Sequence, residues 1–273
     1  MSARMFLFFV LSSLYLHNVM GVVPHHDFIV VTPEKTGTHL LTKALEQLLD
    51  MKVVNCWEHE ISRKALLTLL KETKKRGEFF QIHANPKNSL IMALLEMDYK
   101  VIFLMRDPRD QAVSLYYYIR DGWKYGHLNT ASAYGRLSAE DQLEEIITGK
   151  RFGTSGTLNI IGKNLRWMRL VPSFVFTAHF ENLVGDEGGG FRELQIEEMR
   201  KIASHLELDL SDSEIEERSL GLFGKPGEKT FRNGQIGSWK THFLPKHIRA
   251  FKKLFGKKLI KLGYEEDADW GNL

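Results

Sequence analysis

Short apolar runs alternate with amphipathic stretches along most of the chain. Residues 28–31 (FIVV) form an apolar, partly β-branched run closed by Pro33, which predicts a buried strand. Leu40, Leu41, Ala44, Leu45, Leu48 and Leu49 then recur at i, i+1, i+4 and i+5, one face of a helix. Residues 79–83 (FFQIH), 101–105 (VIFLM) and 174–178 (FVFTA) are further strand candidates separated by helical patterns. Continuous apolar runs belong to strands covered on both faces. The expected fold is therefore α/β: a single domain with a central, mostly parallel sheet flanked by helices. Sheets of this kind bind ligands beyond the carboxyl ends of their strands.

The helical segments carry their own punctuation. After VIFLM, Asp107 can cap a helix, Pro108 suits its first turn and Asp110 its positive dipole end. Ala112, Val113, Tyr116 and Tyr117 give that helix a buried face. Ser138 opens another, ending near Gly149. Residues 195–206 present Ile196, Met199, Ile202, Ala203 and Leu206 inward. Residues 248–264 set Phe251, Leu254, Phe255 and Leu259 against Lys252, Lys253, Lys257, Lys258 and Lys261, a closing helix with a solvated face. The GDEGGG stretch at 185–190 reads as a flexible surface loop. No repeat and no linker divides the chain.

The N-terminus stands apart. Arg4 precedes an apolar run at residues 5–16, and Val19 and Gly21 follow at cleavage-like positions. Residues 1–22 are expected to be a signal peptide or apolar leader, too short in its apolar core to span a membrane. Export or the secretory pathway follows if the leader acts as a signal, and a cytoplasmic location otherwise. Residues 23–273 form the folded domain. The full 273 residues carry a net charge of +3, compatible with an anionic ligand but too weak to imply nucleic acid. The single cysteine, Cys56, excludes an internal disulfide.

Candidate chemistry lies just after the strands. The turn PEKTGTH between the first strand and its helix aims backbone N–H groups and the positive end of a helix dipole at one region, beside Lys35. A nucleotide triphosphatase loop needs its lysine after the second glycine of G-x-x-x-x-G-K-[ST], whereas here Lys35 precedes Gly37. That order weakens, without eliminating, a nucleotide-dependent small-molecule kinase, which stays as an alternative. Arg106 at a strand tip and Ser114 two helical turns on suit a second phosphate. Tyr116, Tyr117, Tyr118, Trp123, Tyr125 and Tyr134 are candidates for an acceptor pocket or for core.

Three segments taken in order, PEKTGTH, RDPRDQAVS and FRNGQIGSWKTHF, resemble the signatures of the PAPS-dependent sulfotransferases of the cytosolic type. PAPS is 3'-phosphoadenosine 5'-phosphosulfate. The resemblance implies a nucleotide-kinase-like fold with a PAPS-binding loop. It makes Lys35, Thr36, Gly37 and Thr38 the cradle of the phosphosulfate, with Lys35 at the bridging oxygen where charge develops. Arg106 and Ser114, with Arg232, Asn233 and Gly234, match the grip on the 3'-phosphate. Trp239 belongs to the same signature as a packing residue. His83, at the end of FFQIH, matches the general base, and a near-neutral pKa suits that task. His39, His59, His179 and His242 are lesser candidates.

The implied reaction moves a sulfuryl group from PAPS to a hydroxyl or amine of a small-molecule or glycan acceptor, with no metal expected. Some positions depart from the family pattern. His39 and Leu40 stand where a tryptophan stacks on adenine, Phe180 replaces a tyrosine at the base, Gln81 a lysine, Asn233 a lysine and Ser238 an aspartate. A non-catalytic PAPS- or PAP-binding module is therefore the other alternative, and a homodimer is left open.

Overall fold

Five strands pair in parallel in the order β2-β3-β1-β4-β5. They are β1 (Phe28–Val31), β2 (Lys52–Cys56), β3 (Glu78–Ile82), β4 (Lys100–Met105) and β5 (Val175–His179). The structure, a computed structural model, describes residues 24, 26–56, 61–122, 132–153, 155–224 and 231–271. The leader at 1–22 lies outside the described residues, as do His59, Trp123 and Tyr125. Central β1 sets Ile29 opposite Phe80 of β3 on one side and Val101 of β4 on the other.

Side-chain alternation divides each strand between two cores. Ile29, Val31, Phe80, Ile82, Val101, Phe103 and Met105 face one, and Phe28, Val30, Phe79, Ile102 and Leu104 face the other. The first core is covered by α2 (Arg63–Lys75), α3 (Asn88–Glu96), α4 (Pro108–Arg120), the single turn α5 (Ser132–Gly135), α6 (Ala139–Thr148), α7 (Gly156–Trp167) and, later in the chain, the closing helix Pro245–Lys261. The second is covered by α1 (Thr38–Leu49), the single turn α8 (Phe180–Leu183), α9 (Arg192–His205) and α10 (Asp212–Arg218). The closing helix is α11. This is the α/β domain, parallel and helix-covered on both faces, that the apolar runs predict.

Local chemistry explains the helix starts nearest the cleft. The Asp107 side chain accepts from the Arg109 N–H and Pro108 occupies the first turn, so α4 begins two residues after the strand-tip Arg106. Ser138 and Ser155 cap α6 and α7 in the same way. Two expectations shift. Leu254 of α11 points outward, 42% exposed, and in α9 Gln195 and Glu198 are buried while Ile196 is only half-buried. Those two polar residues earn their place through hydrogen bonds: Gln195 donates to the Leu183 carbonyl at 2.7 Å, and Glu198 accepts from the His179 N–H at 2.8 Å.

Candidate active site

The carboxyl ends of β1, β3 and β4 open onto one cleft of about 1020 Å³. Its floor is the loop from Thr32 to Gly37. Lys35 holds a left-handed φ of 65°, which non-glycine residues rarely adopt, and Gly37 follows at 103° as the residue that begins α1. Among the described residues no side chain makes a capping hydrogen bond to α1, and the helix starts at Gly37 and Thr38, which line the cleft. Gly37 is also fixed by space. A Cβ there would lie 2.5 Å from Cδ2 of Phe180, whose ring leans over the loop. Gly37→Ala is therefore expected to displace that ring or the loop and to weaken PAP binding by at least about tenfold, about 1.4 kcal/mol, in calorimetry.

Arg106 emerges from β4 and is 7% exposed. Its guanidinium stacks on Phe180 at 4.0 Å, donates to the Lys35 carbonyl at 3.4 Å and to the Gln235 carbonyl at 3.2 Å. Its buried Nε has no hydrogen-bond partner among the described residues. Ser114 lines the cleft from α4. Lys35 extends over the Tyr118 ring, 4.1 Å from its centroid. Burial, with Arg106 and Arg232 nearby and only Asp121 opposing, pushes the Lys35 ammonium down to about 8. The cleft thus gathers cationic groups that destabilise one another until an anion arrives.

The third wall comes from the C-terminal segment. Asp110 accepts from the backbone N–H groups of Gly237 at 2.8 Å and Trp239 at 2.9 Å and from the Ser238 hydroxyl at 3.2 Å. On the other side, the Gln235 side chain donates to the Glu187 carbonyl and the Ile236 N–H to the Gly188 carbonyl. The glycine-rich 185–190 stretch is therefore a docking edge for this wall and not merely a surface loop. A Cβ on Gly188 would meet Val184 at 2.1 Å, which explains a glycine at that point. Arg232 lies over Tyr117 at 3.6 Å, and Asn233 and Gly234 complete the rim. Trp239 packs against Trp270 and sandwiches Arg109, as a packing residue does.

His83 follows β3 and is 8% exposed. Its Nδ1 lies within hydrogen-bond distance of the Thr32 carbonyl, which accepts and so selects the Nδ1–H tautomer. That leaves the basic lone pair on Nε2. Around it, Gln81 donates to the Thr32 hydroxyl at 2.9 Å, and that hydroxyl meets the Thr38 hydroxyl at 2.9 Å. The glutamine that stands where the family pattern has lysine is thus a fully buried link between the histidine's strand and the loop.

Lys35, Gly37, Thr38, His83, Arg106, Ser114, Phe180, Arg232, Asn233 and Gly234 all line this one cleft. Thr36 does not present its side chain there: it is fully buried and its hydroxyl donates to the Pro33 carbonyl at 2.8 Å, so the residue braces the loop. His39 lines the cleft from α1. His242 is held between the Tyr117 hydroxyl and the Ser238 carbonyl, and His179 lies beside Glu198. Tyr116 and Tyr134 belong to the core. Residues that sequence reasoning missed are Leu222, Phe223 and Phe231, which form an apolar wall of the cleft. Phe223 and Phe231 meet edge-on at 5.3 Å, with Gly224 and Gly234 pressed against Phe231. Their only signal is a pair of phenylalanines beside glycines in a segment with no periodicity.

Comparison with known proteins places this geometry. Residues 25–150 match the sulfotransferase domain. Sulfotransferase 2A6 of Rattus norvegicus is 24% identical over 271 residues, covering 89% of each chain. Sulfotransferase 2A1 of Homo sapiens is 26% identical over 265 residues, covering 89% of this chain and 88% of the relative. Among solved structures, mouse sulfotransferase SULT7A1 complexed with PAP has a TM-score of 0.60 at 21% identity, covering 87% of this chain and 85% of that one. Retinol dehydratase in complex with androsterone and inactive cofactor PAP has a TM-score of 0.56 at 16% identity, with coverages of 85% and 80%. The three ordered segments meet on one cleft, and likeness to sulfotransferases in sequence and fold runs nearly the length of the chain: residues 25–150 carry a sulfotransferase domain, and the whole chain is similar to the PAPS-dependent sulfotransferases.

Proposed function

We propose that the protein transfers the sulfuryl group of PAPS to a hydroxyl of a small apolar molecule, with His83 as general base. The observation that carries this reading is the convergence of Lys35, Arg106 and the Nδ1–H tautomer of His83 on one cleft. The residues present fit the donor. The buried Nε of Arg106, which has no hydrogen-bond partner among the described residues, and the start of α1, which no described side chain caps, both suit anionic groups. Lys35 and the backbone of residues 36–38 would hold the phosphosulfate; Arg106, Ser114, Arg232 and Gly234 would hold the 3'-phosphate. Phe180, Leu222 and Phe223 offer the apolar surface for the adenine that the loop itself, with His39 and Leu40, does not supply.

PAPS, when bound, supplies a sulfuryl group on a phosphate leaving group. His83 Nε2 takes the acceptor's proton as the acceptor oxygen bonds to sulfur and the bond from sulfur to the phosphate oxygen breaks. Lys35 stabilises the charge left on that oxygen, an effect strengthened by its poorly solvated position. Tyr118 shields the ammonium from water on one side. Support for a small hydroxylic acceptor comes from retinol dehydratase, which is solved with androsterone.

The test is transfer of label from 35S-PAPS by the full chain to 2-naphthol or androsterone. Labelled organic sulfate is the expected result. No transfer to any acceptor despite PAP binding would make the protein a binding module.

A further inference from the structure

Helix α7 approaches the cleft from the side of the first core, and three of its side chains take hold of three consecutive residues after β3. The Lys163 ammonium donates to the His83 carbonyl at 3.3 Å, the Trp167 indole N–H to the Ala84 carbonyl at 3.1 Å, and the Arg166 guanidinium to the Asn85 amide oxygen at 2.7 Å. Positions 163, 166 and 167 share one helix face, so this is a single clamp on the strand exit that carries His83.

Lys163 also reaches the lysine loop. Its ammonium lies 2.7 Å from the Glu34 carboxylate, and the two side chains are only 7% and 14% exposed. Glu34 is held a second time, through its carbonyl, by the Gln111 side chain at 3.0 Å from α4. The next residue is Lys35, whose left-handed backbone persists only where its surroundings fix it. The ladder between β1 and β3 ends with the Thr32 N–H donating to the Ile82 carbonyl at 3.1 Å. Past that point, Lys163 links the loop holding Lys35 to the backbone holding His83.

We propose that Lys163, through Glu34, is a positioning residue that sets the separation between the charge-stabilising lysine and the base. Neither side chain is assigned to touch donor or acceptor. The kinetic consequence rests on the sulfuryl-transfer reading, because catalysis in that reaction depends on holding both groups at a fixed gap, and a misplacement of about 1 Å can cost about 10²-fold.

Removing one partner alone would leave a poorly solvated charge, so the principal variant is the double substitution Glu34→Gln with Lys163→Met. Hydrogen exchange of the apo full chain is expected to speed up by at least about tenfold (K shifted by one decade) at residues 34–37 and 83–85 together, with β4 amides unchanged. In turnover of 2-naphthol, kcat is expected to fall about 10- to 10²-fold with little change in KM for PAPS, and Lys163→Arg alone is expected to restore most of the rate. Should the double variant not fold, Glu34→Gln, which keeps a carbonyl acceptor for Lys163, is read instead and is expected to loosen both segments to a smaller degree. Exchange that is unchanged, or that rises in only one segment, overturns the proposal. So does a wild-type kcat in a double variant with loosened segments. If the wild type transfers no sulfuryl group, the functional reading fails, and the exchange result still decides whether Lys163 couples the two segments.

Discussion

His83→Ala is expected to lower kcat by about 10²- to 10⁴-fold, the usual share of a positioned general base, while PAP affinity stays close to that of the wild type. The separation of the two effects follows from where the ring sits. Its Nδ1 faces the Thr32 carbonyl, leaving Nε2 as the proton acceptor, and the cationic groups assigned to the nucleotide lie on other elements. A truncation to alanine removes the base without removing Lys35, Arg106 or Arg232. Steady-state kinetics with 2-naphthol, beside calorimetry with PAP, distinguish the two. An unchanged kcat would take the role away from His83 and pass attention to His39, the other histidine among the described residues lining the cleft.

Lys35→Met is expected to cost about 10²-fold or more in kcat, because charge stabilisation in a poorly solvated site is among the largest contributions to catalysis. It should also remove a pH dependence. Burial first, and then Arg106 and Arg232, push the Lys35 ammonium down to about 8 in the free protein. A bound anion favours the protonated form, so the pKa rises on binding. Above pH 8 the complex therefore holds more protons than the free protein: PAP binding takes up a proton, and affinity falls as pH rises, by at most about tenfold per unit. Calorimetry near pH 9 in two buffers of different ionisation enthalpy measures that uptake. Equal uptake in the wild type and in Lys35→Met would show that another group titrates.

The parts of the site legible in the sequence are those where a strand end, a turn and a helix start share a short segment. Residues 28–49 and 101–114 are of this type: the apolar run, the cap or glycine and the helix period sit side by side, so Lys35, Arg106 and Ser114 could be placed from local rules. Thr36 shows the limit of that reasoning, since its position in the motif says nothing about its hydroxyl turning back to Pro33. The edge strand β2 (KVVNC) has only a two-residue run of valines between polar positions, and α7 carries the weak helix formers Gly156, Gly162, Asn159 and Asn164, so neither stands out in the sequence. What holds α7 is its capping serine and the burial of Trp167, which is fully covered and stacked on Phe103. Contacts between distant segments were invisible for the same reason: Lys163 with Glu34, 129 residues apart, and the Phe223–Phe231 wall depend on the fold and not on spacing.

The central claim is that the cleft grips a 3'-phosphate as well as a 5'-anion. PAP and ADP carry the same adenosine and two phosphates each, arranged differently, so their relative affinity isolates that grip. Calorimetry on the full chain, without Mg²⁺, is predicted to give PAP an advantage of at least about 10²-fold, about 2.7 kcal/mol, within reach of a pair of charge-assisted hydrogen bonds. The advantage is predicted to collapse in Arg106→Ala. ADP binding as tightly as PAP, or ATP with Mg²⁺ binding more tightly than either, would contradict the account.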